Sequence, residues 1–82
     1  MDAYREKAIA LYDLGNYEEA LQVLEKAIKL RNNFDEGYYY KGRCLEKLNR
    51  TPEAIDAYQM ALMFDTAYIE AKDALGKLGI KQ

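Results

Sequence analysis

The sequence predicts an all-α fold of stacked antiparallel helix pairs, five helices and no strands. Three observations carry that expectation. At an offset of 34 residues the chain meets itself: Tyr4 falls on Tyr38, Lys7 on Lys41, Leu11 on Leu45, Leu14 on Leu48, Glu19 on Glu53, Ala20 on Ala54 and Ala27 on Ala61. Apolar and small residues recur every three or four positions, the period of a helix buried on one face. Each run is bounded by residues suited to ending or starting a helix. Self-similarity at this period marks a helical hairpin that buries its apolar face only against a neighbouring copy.

Asp2 is placed to cap the first helix, which carries Tyr4, Ala8, Leu11 and Leu14 on one face. Gly15 ends it, because glycine accepts the left-handed backbone of a helix C-terminus. Asn16-Tyr17-Glu18-Glu19 reads as a capping box opening the second helix, which runs through Ala20, Leu24 and Ala27 to about Leu30. Asp35 opens the third, with Tyr38, Gly42, Leu45 and Leu48 in register, and Asn49 takes the place of Gly15. Thr51-Pro52-Glu53 supplies a cap and a proline in a first helical turn, where its missing N–H costs least. The fourth helix carries Ala54, Tyr58, Ala61 and Leu62. A last helix is expected over about Ala67 to Leu78, with Ala71, Leu75, Gly76 and Leu78 as its apolar face and Gly79 as its stop. Ala8 with Ala20, and Gly42 with Ala54, fall where paired helices cross, so small side chains bring the axes close.

The 82 residues make one small domain or a piece of a longer array, with 12 basic and 14 acidic side chains interspersed. No basic stripe exists to neutralise a phosphate backbone, which argues against nucleic acid. There is no histidine and a single cysteine, Cys44. That leaves no disulfide, no zinc set and no base for a thiol nucleophile. No apolar run spans a bilayer and no signal-peptide core opens the chain, so no membrane partner and a cytoplasmic location are expected. Glu18 and Glu19 diverge on a helix, and the five glycines read as packing or termination positions. No catalytic residue, cofactor or metal is expected.

The order Tyr4, Ala8, Leu11, Gly15, Tyr17, Ala20, Leu24, Ala27 resembles the tetratricopeptide repeat, and Tyr38, Gly42, Leu45, Ala54, Tyr58, Ala61 resembles it again. The resemblance implies a right-handed superhelical stack: one repeat over 1–34, a second over 35–68, and a C-terminal capping helix over 69–82. It also implies a non-catalytic adaptor or scaffold that binds a partner's peptide segment along the concave first-helix face. Three departures stand out. Lys7 and Lys41 replace the family's leucine, Asn32 and Thr66 replace its inter-repeat proline, and Thr51-Pro52 replaces its aromatic turn. Lys41 must lay its aliphatic stem over apolar neighbours while its ammonium reaches water.

On the implied groove face lie Arg5, Ile9, Tyr12, Tyr39, Arg43, Glu46, Asp73 and Lys77, with Asp2, Asp13, Glu36, Lys47 and Glu70 beside them. Arg5, Ile9 and Tyr12 share a narrow sector at about 100° per residue, and tyrosine and arginine are the types enriched at binding hot spots. The family's carboxylate clamp would fall on Arg5, Ile9, Arg43, Asp73 and Lys77. Both of its amides are missing here, and Asp73 would repel a carboxylate, so the clamp does not carry over. Of Tyr38, Tyr39 and Tyr40, the first should face inward, the second the groove and the third an edge. Met60 and Met63 replace Lys26 and Lys29 and make an apolar patch, a candidate homodimer or docking face. The alternative to a peptide-binding module is accordingly a structural or self-associating repeat unit, engineered or cut from a longer array.

Overall fold

α1 (Asp2–Asp13), α2 (Tyr17–Leu30), α3 (Asp35–Lys47), α4 (Thr51–Phe64) and α5 (Ile69–Lys77) follow one another across residues 2–80, the part of the chain that the computed structural model describes. No strand occurs among those residues. Each helix packs on the next, and α1 also touches α3, so the hairpins stack rather than splay. The fold is all-α, as the periodicity predicts.

Three helix ends share one geometry. The Asn16 N–H donates to the Leu11 carbonyl at 2.8 Å, and the Gly15 N–H to Tyr12 at 3.0 Å. Arg50 to Leu45 and Asn49 to Glu46 repeat the pattern at 2.8 and 3.0 Å, and Ile80 to Leu75 and Gly79 to Gly76 do so at 2.9 and 3.0 Å. This is the paired bonding that satisfies the last carbonyls of a helix, and it requires a left-handed residue in the turn. Gly15 (φ 82°), Asn49 (φ 61°) and Gly79 (φ 84°) supply it. The third such end arrives a turn early, since Gly79 lies 30 residues after Asn49 rather than 34, and α5 is correspondingly short.

Helix starts differ from the sequence reading. Asn16 occupies the cap position of α2 but makes no side-chain cap bond, so the capping box does not form. Its backbone N–H is already committed to Leu11 in the tight turn. At α4 the cap position falls on Arg50, and Thr51 lies inside the helix ahead of Pro52. The Arg50 guanidinium instead grips Glu53 at 2.7 Å, tying the first turn together from outside. α5 begins at Ile69 rather than Ala67, because Thr66-Ala67 forms a turn in which Asp65 Oδ1 accepts the Ala67 N–H at 3.1 Å.

The core is built largely from small residues: Ala8, Ala20, Leu24, Cys44, Leu45, Ala54, Tyr58, Ala61 and Leu75 are buried, and no buried polar side chain lacks a partner among the described residues. Two positions assigned to the apolar face are not in it. Leu14 is 75% exposed; its counterpart Leu48 lies beside the Gly15–Glu19 turn, and no described element does the same for Leu14. Gly76 is also exposed, with nothing within 4 Å of where its Cβ would be. A glycine in the crossing position packs only if a partner helix follows, and none does among the described residues.

Gly42 is different. A Cβ there would lie 2.6 Å from Cε1 and 2.8 Å from Cδ1 of Tyr58, atoms of a ring wedged between α3 and α4. At the equivalent crossing of α1 and α2 the pair is Ala8 and Leu24, both buried. The two hairpins thus fill one crossing with two complementary pairs: methyl with leucine, hydrogen with tyrosine. Gly42→Ala is expected to cost roughly 1–3 kcal/mol by overpacking. In Gly42→Ala/Tyr58→Leu, which recreates the first hairpin's pair, the two changes should couple favourably by at least about 0.5 kcal/mol. Thermal or denaturant melts of both single variants and the double one measure this; strictly additive losses would contradict it.

Candidate functional site

The face shared by α1, α3 and α5 holds a cavity of about 540 Å³ lined by Tyr12, Tyr39, Arg43, Glu46, Lys47, Tyr58, Glu70, Asp73, Ala74 and Lys77. Its positions follow from helical spacing. Tyr39, Arg43 and Glu46–Lys47 rise along one side of α3, and Glu70, Asp73, Ala74 and Lys77 along one side of α5. Of the eight groove residues the sequence proposes, six line the cavity: Tyr12, Tyr39, Arg43, Glu46, Asp73 and Lys77. Arg5 and Ile9 stand apart from it.

Arg5 is engaged elsewhere. Its Nη1 donates to both carboxylate oxygens of Glu36, at 3.0 and 3.1 Å, and Asp2 lies 3.7 Å from Nη2. The hydrogen bond to Glu36, then its charge, raises the Arg5 pKa. Arg5, expected on the groove face, instead braces α1 against α3. Lys41 is likewise paired, at 3.7 Å from Glu25 on α2, rather than reaching only water.

Arg43 sits among rings. Its guanidinium carbon is 4.7 Å from the Tyr12 ring centre, 5.8 Å from Tyr39 and 5.9 Å from Tyr40. Tyr39 in turn meets Tyr40 edge-on at 5.1 Å and leans on Tyr58 and Tyr68 at 5.8 and 5.2 Å, while Tyr12 meets Tyr17 edge-on at 5.2 Å. Tyr40 thus buttresses Tyr39 at the edge, and Tyr38 is half-buried, stacked on Phe64 at 5.7 Å. The aromatic faces hold the guanidinium by cation–π attraction and fix where its edges point. Burial opposes its charge, but the tyrosines around it outweigh that and its pKa is raised.

Tyr58 and Ala74 line the cavity without having been assigned to it. Tyr58 is fully buried as a residue, yet its hydroxyl reaches the groove and donates to Glu46 Oε2. A signal existed: replacing Leu24 by Tyr58 at the repeat offset, beside Ala8 replaced by Gly42, announces a ring longer than the crossing needs. The Cys44 thiol is wholly buried, and burial pushes its pKa up to about 11, as befits an inert apolar filler. Met63 is 64% exposed, whereas Met60 is half-buried beside Tyr38, Lys41, Leu45 and Ala57. The two methionines therefore do not form one uniform patch. No cluster of potential metal ligands occurs among the described residues, and none of their helices is long and apolar enough to cross a membrane.

Stacked helical hairpins closed by repeated left-handed turns, with a groove on the first-helix side, define a helical repeat protein. A family model described as Tetratricopeptide repeat matches residues 2–74, and the chain belongs to that family. The match runs through both hairpins and into α5, so the first-helix face described above lies almost wholly within it.

Burial raises the pKa of Tyr58, Tyr68 and Tyr39, helped in Tyr58 by its bond to Glu46. The folded protein thus holds phenolic protons that the unfolded chain releases near pH 10. This stabilisation is complete below about pH 10 and is lost as pH rises through the folded values. Phenolate absorbance and circular dichroism followed together should show a fraction of tyrosines ionising only as the helices melt. Full ionisation near pH 10 with the helices intact would contradict the burial of these rings.

Proposed function

We propose that the chain binds a peptide segment of a protein partner along the α1/α3/α5 face, without catalysis. Membership of the tetratricopeptide repeat family supports the coarser part of this reading, a protein-interaction module. The observation that carries the finer part is Arg43. It is a half-buried cation held by three tyrosines at the wall of the groove cavity, in no ion pair with a carboxylate among the described residues. A guanidinium presented on aromatic faces loses little freedom on binding, and arginine and tyrosine dominate interface energetics. Tyr12 and Tyr39 add apolar area that a side chain or a short backbone run can cover.

Peptides selected against the protein from a random display library test the reading. Arg43→Ala and Tyr12→Ala should each weaken a selected peptide about tenfold or more, as hot-spot truncations do. Lys26→Ala, exposed on α2, should leave affinity unchanged. Binding that survives both groove substitutions but falls with Met63→Lys would move the interaction to the α4 surface and overturn the proposal.

A further inference from the structure

The cavity walls carry both signs in opposite balance. Arg43 and Lys47 stand on α3 with Glu46, whose carboxylate accepts from Tyr58, and Glu70 and Asp73 stand on α5, with Lys77 at the end of that wall. Outside the groove the four cations nearest a neighbouring acceptor find oxygens: Arg5 with Glu36 at 3.0 Å, Arg50 with Glu53 at 2.7 Å, Lys41 with Glu25 at 3.7 Å and Arg31 with Asn33 at 3.2 Å, whereas Lys7, Lys26, Lys29 and Lys72 form no ion pair among the described residues. Among the described residues none of Arg43, Lys47, Glu70, Asp73 and Lys77 forms an ion pair, although Asp73 and Lys77 are one helical turn apart. The opening of about 540 Å³ lies between the walls, and Tyr12, Tyr39, Tyr58 and Ala74 complete its lining.

Resting on the peptide-groove reading above, we infer that the groove selects an internal partner segment bearing one acidic and one basic side chain on the same face. The acidic carboxylate bridges to Arg43 and Lys47, and the basic group to Glu70 and Asp73. The aliphatic stems between them lie across Tyr12 and Tyr39. Fork-shaped donors suit the carboxylate, and the α5 carboxylates accept from an ammonium or guanidinium. A segment of one sign meets like charges on both walls whichever way it lies. An all-acidic one meets Glu46, Glu70 and Asp73, and an all-basic one meets Arg43, Lys47 and Lys77. A carboxylate at a chain end brings no cation to answer Glu70 and Asp73, so the anchor belongs to a side chain within the segment.

Three pools of fluorescent dodecapeptides, acetylated and amidated, with the same apolar residues, test this by anisotropy. They carry one Glu and one Lys, two Glu, or two Lys at randomised positions. The mixed pool should bind about tenfold more tightly than either other pool, with the advantage shrinking at about 0.5 M NaCl. Glu70→Lys/Asp73→Lys, checked for helicity by circular dichroism, should shift the preference to the two-Glu pool. If a one-sign pool binds wild type best and is lost in Arg43→Ala, the two-sign rule fails and the groove reading stands. If no pool binds saturably, both fail. A gain of more than about tenfold on freeing the peptide C-terminus would overturn the internal anchor.

Discussion

The contact between the Tyr58 ring and the bare backbone of Gly42 sets the geometry on which the groove depends. It fixes how closely α3 approaches α4, because a single added methyl would fall inside the ring's van der Waals surface. It also carries the core out to the binding face. The same ring that fills the crossing leans on Tyr39 and ends in a hydroxyl bonded to Glu46, beneath Arg43 one turn away. A leucine, as at Leu24, would fill the crossing and stop there. Tyrosine links packing to presentation, so the position of the groove's central aromatic is over-determined from below.

Charge is organised around that frame by the availability of partners. Where two helices come within reach across a hairpin or a stack, opposite charges close on one another, as Arg5 does with Glu36 and Lys41 with Glu25. Such exposed pairs add little stability individually, but they remove those side chains from the set a ligand can meet. Across the groove no ion pair joins α3 to α5 among the described residues. Arg43 is steadied instead by the rings of Tyr12, Tyr39 and Tyr40, which satisfy its planar faces. A guanidinium retained this way is prepared for a ligand in a sense that Arg5 is not.

Much of the fold was legible because the repeat offset samples each structural role twice. Helix count, the left-handed residues at Gly15, Asn49 and Gly79 and the small residues at the crossings all follow from spacing and conformational preference. Six of the eight proposed groove residues converge for the same reason: helical phase alone places Tyr12, Tyr39, Arg43, Glu46, Asp73 and Lys77. What was not legible depends on neighbours rather than on phase. Asn16 has cap chemistry, but the turn spends its backbone elsewhere; Thr51 has it too, but the helix starts a residue early. Leu14 and Gly76 carry the pattern of buried positions without a described element to bury them. Arg5 has the right direction and the wrong neighbour, Glu36. Tyr58 was assigned to the core alone, since periodicity marks where a side chain starts and not how far it reaches.

The central claim is that recognition occurs on the α1/α3/α5 face around Arg43. Amide chemical-shift mapping of the uniformly 15N-labelled protein, titrated with a peptide selected for binding, tests it most directly. Perturbations should concentrate at Tyr12, Tyr39–Lys47 and Glu70–Lys77, with the Arg43 side-chain Nε–H shifted as its edge gains an acceptor. Perturbations confined to the exposed surfaces of α2 and α4, with Arg43 unmoved, would contradict it.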